Sequence, residues 1–273
     1  MLIDTNNTGG PGRERTAVEY IYETHLHTIE GSACSNAPAK DYIERMMKIG
    51  YSGMIVTDHF FNGNTAVPRD LPWNEWVELY CKGYEHALEA AEGKDFTVLF
   101  GIEYCFEGDE YLIYGIDKQW LLDRPNVLNL SRQELYDEVH RTGGLMLQAH
   151  PYRERGYLKA IHLAPNCVDG SEGFNAGNPD YQNALCYQYG LEQGFLMSGG
   201  SDIHHINDTF LGGTSFPYKI NTIQAFVKAF KAGDGIPVYM RDADAPDAKF
   251  LPVSECPELT TPDKEPSLPV IWH

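Results

Sequence analysis

The feature that most restricts the fold is a repeated alternation of short apolar segments with amphipathic ones. Segments such as SGMIVTDH (52–59), FTVLFGIEY (96–104) and GLMLQAHP (144–151) are typical of buried strands. Between them, SRQELYDEVHRTGG (131–144) has the spacing of a helix that begins at a capping box formed by Ser131 and Glu134. The segment WNEWVELYCKGYEHALEAAEGK (73–94) predicts one long helix. This alternation predicts an α/β fold with parallel strands and crossover helices, either a (β/α) barrel or an open doubly wound sheet.

The length of the chain and the absence of internal linkers indicate one large domain. Its 273 residues suffice for one α/β barrel, and no Pro/Gly-rich linker divides the middle of the sequence. Residues 1–16 contain no apolar stretch and predict a flexible arm rather than a signal peptide or membrane anchor. We expect this α/β domain in residues 17–240 and a tail in residues 241–273, rich in Pro and Asp, that packs on it.

The charge and cysteine content of the chain restrict the classes of molecule that it can bind and the compartment in which it occurs. The formal net charge of -18 disfavours long nucleic acid and anionic membranes, whose phosphates repel an acidic surface. A small phosphorylated substrate remains compatible, because bound metal ions reverse the local field. The six scattered cysteines have no Cys-x-x-Cys pair and indicate reduced thiols in a cytoplasmic protein. No pattern indicates an oligomeric state.

Residues able to bind metals recur at the ends of the predicted strands. In ETHLHTIE (23–30), His25 and His27 point to the same side of an extended strand. A single His-x-His pair is more typical of a half-exposed strand, but further candidates close other strands. Carboxyl ends of parallel strands meet at one rim, where their side chains converge. The mixture of imidazole and carboxylate favours Zn, Fe or Mn over Mg or Ca. The candidates are His25, His27, Asp58, His59, Glu103, His150, Asp202 and His204.

Five short motifs follow one another along the chain: HLHT (25–28), TDH (57–59), GIE (101–103), AHP (149–151) and GSDIH (200–204). Together they resemble the PHP (polymerase and histidinol phosphatase) superfamily of metal-dependent phosphoesterases. The resemblance covers roughly residues 19 to 205. The resemblance implies a distorted (β/α)7 TIM-like barrel with two or three divalent metal ions at the carboxyl ends of its strands.

The resemblance also implies roles for individual residues. His25, His27, Glu103 and Asp202 would hold one ion, Glu103 would bridge to a second ion at His150, and His59 and His204 would hold a third. Two positions depart from the family pattern. The segment IEGSACS (29–35) offers only Glu30 and Cys34 where an Asp or His is usual, and Glu110 stands where a His is usual. Glu110 is then either a ligand of the second ion or a solvated acid.

A metal-activated water that attacks a phosphomonoester is the expected chemistry. Asp202, His204 or His59 would assist proton transfer, and Asp58 would orient a ligating imidazole. Arg153 is a candidate for gripping the substrate and Asn175 for lining the pocket, although a surface ion pair and a turn are alternatives. Alternative functions are a histidinol-phosphate phosphatase, a nucleotide phosphodiesterase or exonuclease, a hydrolase of other esters or amides, and an inactive metal-binding barrel with a structural or regulatory role.

Overall fold

The computed structural model describes residues 19–273, and the predicted arm of residues 1–16 lies outside them. Their strands are β1 (Tyr20–Leu26), β2 (Gly53–Val56), β3 (Thr97–Cys105), β4 (Glu110–Tyr114), β5 (Leu145–Ala149), β6 (Ile161–Leu163), β7 (Gly170–Asn175), β8 (Leu196–Gly200), β9 (Leu211–Phe216), β10 (Ile236–Met240), β11 (Leu251–Pro252) and β12 (Val270–Trp272).

The helices begin and end near the predicted signals. Ser131 and Glu134 form the expected capping box, and Gly50 ends the first helix with φ 109°, a left-handed conformation that glycine adopts without strain. The α-helices are α1 (Tyr42–Ile49), α2 (Trp73–Tyr80), α3 (Lys82–Ala90), α4 (Lys118–Leu122), α5 (Arg132–Arg141), α6 (Asp180–Gln193), α7 (Ile223–Lys231) and α8 (Pro257–Thr260).

The prediction of one long helix over residues 73–94 was wrong. Cys81, with ψ -3°, separates α2 from α3. The break lets each helix pack separately. Trp76 of α2 packs against Phe60 with ring centroids 5.2 Å apart. In α3, a Cβ at Gly83 would lie 2.4 Å from the Thr28 hydroxyl oxygen, so this helix approaches the end of β1 closely.

One curled sheet of ten strands organises the fold, in the order β11-β10-β9-β1-β2-β3-β4-β5-β7-β8. Its central strands β1, β2 and β3 pair in parallel, as do β5, β7 and β8. The sheet curls until β8 approaches β1. There the Thr24 hydroxyl donates to the Gly199 carbonyl at 2.8 Å, and the His27 N–H donates to the Ile203 carbonyl at 3.1 Å. The predicted α/β class is therefore confirmed as a half-barrel.

The expectation of uniformly parallel strands was wrong for three strands. β4 pairs antiparallel with both β3 and β5, β9 pairs antiparallel with β1 and β10, and β11 pairs antiparallel with β10. The reason for β4 is visible in the sequence, because only residues 106–109 join β3 to β4. A connection this short forms a hairpin and cannot hold the crossover that parallel strands need.

Part of the segment after β10 packs on the ten-stranded sheet, and the last strand joins a separate two-stranded sheet. Val253 and Leu259 are fully buried in a cluster with Phe174 of β7, and β12 pairs in parallel with β6. Among residues 19–273, no helix combines the length and apolar character needed to span a bilayer.

Candidate metal centre

The carboxyl ends of the parallel strands bring the predicted residues together. β4 runs in the opposite direction, so its first residue reaches the same edge. This explains why Glu110 lies beside residues that follow other strands. The residues at this edge are His25 and His27 at the end of β1, His59 after β2, Glu103 near the end of β3, Glu110 at the start of β4, His150 after β5, Asn175 at the end of β7, and Asp202 and His204 after β8.

Glu103 lies at the centre of this group, among four imidazoles. Its Oε1 is 3.0 Å from Nε2 of His25 and 3.2 Å from Nε2 of His150. Its Oε2 is 3.5 Å from Nε2 of His27 and 2.6 Å from Nδ1 of His59. One oxygen of this carboxylate therefore faces His25 and His150 and the other faces His27 and His59, an arrangement that suits a bridging ligand.

Asp202 contacts two of these imidazoles through one carboxylate oxygen. Its Oδ1 lies 3.0 Å from Nε2 of His27 and 3.5 Å from Nε2 of His25. Among the described residues, Asp202 (φ 54°) and His150 (φ 29°) are the non-glycine residues with positive φ. Such conformations are strained for residues with a Cβ and persist where surrounding contacts impose them, often at functional sites.

Glu172 orients one side of the centre. Its Oε1 lies 3.1 Å from Nδ1 of His25, and its Oε2 accepts the backbone N–H of His150 at 3.0 Å and the Asn175 amide at 2.8 Å. A carboxylate at Nδ1 accepts the proton on that nitrogen, so Nε2 is the nitrogen left to face a metal ion. His25 therefore presents Nε2 to Glu103.

Ser32 orients His27 in a similar way. The Ser32 hydroxyl donates its proton to Oδ1 of Asp58 at 2.7 Å. Nδ1 of His27 lies 3.0 Å from the Ser32 hydroxyl oxygen, so His27 is the donor in the contact between these two residues. The Ser32 oxygen also accepts the backbone N–H of His59 at 3.0 Å. Asp58, which we expected directly behind an imidazole, thus acts through Ser32, and it also accepts the Thr28 hydroxyl at 2.7 Å.

The donor atoms of the centre fit metal ions. Nε2 of His25, Nε2 of His27, Nδ1 of His59 and Oε2 of Glu103 are buried and, within residues 19–273, make no hydrogen bond of good geometry. They nevertheless approach each other closely, as the 2.6 Å between His59 and Glu103 shows. Buried polar groups that are left unpaired are costly. These imidazole and carboxylate atoms converge without forming hydrogen bonds to one another. A cation bound among them would satisfy them all.

The charges in the centre perturb one another. Burial raises the pKa of Glu103, but the His59 and His25 imidazoles outweigh it and hold that pKa well below its usual range. Burial lowers the pKa of His27 well below its usual range, with His59 adding to the effect, so this ring is neutral and able to bind a cation. Burial, reinforced by the charge of Glu103, raises the pKa of Glu110 to about 8.

Glu110 lies between two imidazoles rather than in solvent. Its Oε1 is 3.6 Å from Nδ1 of His59, and its Oε2 is 3.5 Å from Nε2 of His150. Its side chain is only 16% exposed. The alternative of a solvated strand-end acid is therefore not what the structure shows.

Arg153 contacts Asp202 directly through its guanidinium group. The same group donates to the side-chain oxygens of Asn175 and Asn178, each at 2.9 Å. The structure thus places Arg153 and Asn175 beside the centre, with the arginine in contact with Asp202. Arg155 instead donates to the carbonyls of Glu154 and Gly177.

His204 lies in a further group of side chains with potential ligand atoms, together with His27 and His59. Its ring stacks on His27 with centroids 4.3 Å apart, and its Nδ1 donates to the Asp202 carbonyl at 2.7 Å. His27, His59 and His204 each offer a ring nitrogen, all within 4.8 Å of one another. Glu30 is directed elsewhere, since it contacts His86 at 3.0 Å.

Sequence reasoning missed Glu172 and Ser32 as members of the site. Glu172 had a visible signal, because SEGFNAG (171–177) resembles a Glu-x-x-Asn segment of the PHP superfamily. Ser32 had none, because its partners depend on how the 29–35 loop folds over β2. The 29–35 segment, which lacks the usual Asp or His, supplies the hydroxyl that orients His27.

Comparisons with solved structures find the same fold in other proteins. A two-domain protein from Bacteroides vulgatus that contains a predicted PHP-like metal-dependent phosphoesterase aligns with a TM-score of 0.62 and 15% identity, over 84% of this chain and 69% of that one. The chain has a PHP-like fold. PsfC from Pseudomonas syringae aligns with a TM-score of 0.51 and 14% identity, over 88% of this chain and 94% of PsfC. No protein-family model and no curated protein matches the sequence. The resemblance to the PHP superfamily is thus confirmed for the fold.

Proposed function

We propose that this chain is a metal-dependent phosphoesterase that hydrolyses a small phosphomonoester. The observation that supports this best is the position of Glu103, buried among four imidazoles with Asp202 opposite. The PHP-like fold and the guanidinium group of Arg153 beside Asp202 add to it. Arginine is suited to sites that handle phosphate, because its charge is permanent and its donors are fixed in a plane.

Three groups of residues would hold divalent ions in this proposal. His25, His27, Glu103 and Asp202 form the first group, and His150 and Glu110 share Glu103 in the second. His59 and His204 belong to a third. The mixed nitrogen and oxygen donors suit Zn, Mn or Fe. When bound, such ions lower the pKa of water and neutralise phosphoryl oxygens.

Proton delivery to the leaving group falls to an imidazole. Burial raises the pKa of Asp202, but Arg153 and His25 outweigh it and hold that pKa well below its usual range, so Asp202 is a poor proton donor. The pKa of His204 is raised, since its contacts with Cys34 and Asp202 outweigh burial. His204 and His59 are therefore the donors we propose, each in states where it holds no ion.

The remaining expectations belong to the same proposal. The strands β1, β2, β3, β5, β7, β8 and β10 all run in one direction, which supports a distorted (β/α)7 barrel in residues 17–240 with residues 241–273 as its tail. The six cysteines are all free thiols, which supports a cytoplasmic location.

The test measures metal content and turnover together. The purified chain is analysed for bound metals by mass spectrometry and assayed with p-nitrophenyl phosphate in the presence of added Mn²⁺ or Zn²⁺. We expect His25→Ala and Asp202→Ala to lose both metal and turnover. His140→Ala is the matched control, because this exposed histidine of α5 contacts Asp169 and no residue of the centre.

Two outcomes would count against the proposal. Full turnover in a variant that binds little metal would show that hydrolysis does not need the ions. Bound metal without hydrolysis of any phosphoester would favour an inactive metal-binding barrel.

A further inference from the structure

We propose that Glu23 is a positioning residue that ties the end of β1 to the end of β8 and thereby sets the places of the metal ligands His25 and Asp202. This inference rests on the proposed metal centre. Glu23 is not itself a ligand, because none of the groups of converging ligand atoms among residues 19–273 includes it.

The carboxyl group of Glu23 is fully buried and holds two backbone groups with one oxygen. Its Oε1 accepts the backbone N–H of His25 at 2.8 Å and the backbone N–H of Ser201 at 2.9 Å. A carboxyl group is costly to keep in the interior unless its oxygens are hydrogen-bonded. The side chain therefore joins β1 to the end of β8, which lies 178 positions further along the chain.

This link lies where the curled sheet has no regular strand pairing. β1 and β8 are not neighbours in the order of the ten-stranded sheet. The Thr24 hydroxyl bonds the Gly199 carbonyl on one side, and the His27 N–H bonds the Ile203 carbonyl on the other. Glu23 holds the backbone between these two contacts, at the level where the metal ligands begin.

Both N–H groups that Glu23 holds are next to ligand atoms of the centre. One belongs to His25, whose Nε2 faces Glu103 at 3.0 Å. The other belongs to Ser201, which directly precedes Asp202 and its positive φ of 54°. A metal site tolerates displacements of only about 0.5 Å in its ligands, so the residues that support the backbone decide how well it binds.

Tyr51 shows which property of the carboxyl group matters. Its hydroxyl donates to the Gly212 carbonyl at 2.5 Å, and its oxygen lies 3.4 Å from Oε2 of Glu23. A tyrosine hydroxyl has a single proton, which the shorter contact takes, so its oxygen is free to accept a hydrogen bond. A glutamine at position 23 would keep Oε1 on both N–H groups and direct its amide nitrogen to Tyr51.

Two conservative variants separate the reach of the side chain from its charge. Glu23→Gln keeps the reach and removes the charge, whereas Glu23→Asp keeps the charge and is one methylene too short for both N–H groups. In calorimetric titrations of the metal-free full chain with Zn²⁺, Glu23→Gln should bind nearly as tightly as the wild type. Glu23→Asp should bind at least about tenfold more weakly. Without metal, the peptide that contains Ser201 should exchange its amide hydrogens faster in Glu23→Asp only.

Tyr22→Phe is the matched control for a purely structural loss. The Tyr22 hydroxyl donates to the Ile220 carbonyl at 2.9 Å and accepts the Ile220 N–H at 2.7 Å, near the opposite end of β1. This variant also removes two buried hydrogen bonds from β1. It should unfold at a lower urea concentration than the wild type and keep the wild-type affinity for Zn²⁺.

Three outcomes would overturn the proposal: wild-type affinity in Glu23→Asp, a loss in Glu23→Gln as large as in Glu23→Asp, or an equal loss in Tyr22→Phe. Glu23→Gln keeps the proposal open to refutation even if Glu23→Asp does not fold.

The readout is separate from catalysis. Phosphoester hydrolysis together with unchanged affinity in Glu23→Asp would reject the role of Glu23 and leave the proposed function standing. The expected affinities in a chain that hydrolyses no phosphoester would support the role of Glu23 and reject the proposed function.

Discussion

Nδ1 of His25 lies 3.1 Å from Oε1 of Glu172, and both side chains are fully buried. This pair joins the ends of β1 and β7 and directs Nε2 of His25 toward Glu103, 3.0 Å away. The same carboxylate accepts the backbone N–H of His150, which has a positive φ. One residue outside the motif HLHT therefore sets the direction of two histidines in the centre.

The first prediction follows from this pair. Replacing Glu172→Gln keeps the shape of the side chain but weakens its hold on the ring proton of His25. We expect metal affinity to fall about 10–100-fold, as is usual when the acceptor behind a ligating imidazole is lost. Calorimetric titration with Zn²⁺ of the metal-free chain measures this. Unchanged affinity would show that Glu172 does not orient the ligand.

Gly200 is predicted to tolerate no side chain. A Cβ at this position would lie 2.6 Å from Cβ of His25 and 2.7 Å from Oε1 of Glu172. Gly200→Ala should therefore cost about 1–3 kcal/mol in the free energy of unfolding, measured by urea denaturation, and should also lower metal affinity. Gly156→Ala is the control, because no heavy atom lies within 4 Å of its added Cβ. Equal stability of the two variants would contradict the prediction.

Arg153 is predicted to act through Asp202. Arg153→Lys keeps the positive charge but loses the planar donors that hold Asp202 and Asn175 together. We expect both metal affinity and kcat/KM for p-nitrophenyl phosphate to fall at least about tenfold. Arg155→Lys, which changes contacts to backbone carbonyls only, should change either quantity little. A rise in KM with metal affinity intact would instead show that Arg153 grips the substrate alone.

Metal binding is predicted to strengthen as the pH rises. The pKa of Glu110 in the ion-free chain is raised to about 8, so its carboxyl holds a proton at neutral pH that an incoming cation must displace. Affinity should therefore increase up to about pH 8, by at most about tenfold per pH unit for this group. Glu110→Gln should lose that part of the pH dependence in metal titrations, whereas Glu107→Gln, an exposed acid on the preceding turn, should keep it. An unchanged slope in Glu110→Gln would refute the assignment.

An ion pair beside the centre is predicted to contribute to acid sensitivity. The Asp109 carboxylate accepts two hydrogen bonds from the Arg132 guanidinium at 2.8 Å. Burial raises the pKa of Asp109, but Arg132 and Tyr111 outweigh it and lower that pKa below its usual 3.8. A carboxyl whose pKa is depressed in the folded state stabilises above its unfolded pKa and loses that contribution as the pH falls through the folded pKa.

The corresponding variant is Asp109→Asn. It should lose roughly 2 kcal/mol of unfolding free energy at neutral pH and lose less than the wild type on acidification below about pH 4. Urea denaturation at both pH values measures this, and Asp137→Asn on the exposed face of α5 is the control. Parallel stability curves for the wild type and Asp109→Asn would argue against the pair.

Local patterns predicted much of the fold because they depend on residues near in sequence. The capping box at Ser131 appears where its spacing placed it. The break at Cys81 was missed, because the apolar spacing continues through it and only the packing of the two helices separates them. The direction of β4 was missed although the short 106–109 connection was a readable signal.

The sequence itself determined the set of histidines and acids at strand ends. The alternation of side chains along a strand places His25 and His27 on one side of β1. Only the tertiary structure decided what lies behind them. Ser32, Glu172 and Glu110 reach the centre through the folded 29–35 loop, the position of β7 and the antiparallel β4. The placements of Ser32 and Glu172 depend on contacts between residues far apart in the chain, which no local pattern records. The physical reason is that a metal site needs atoms to within tenths of an ångström, whereas sequence periodicity specifies only the side of a strand.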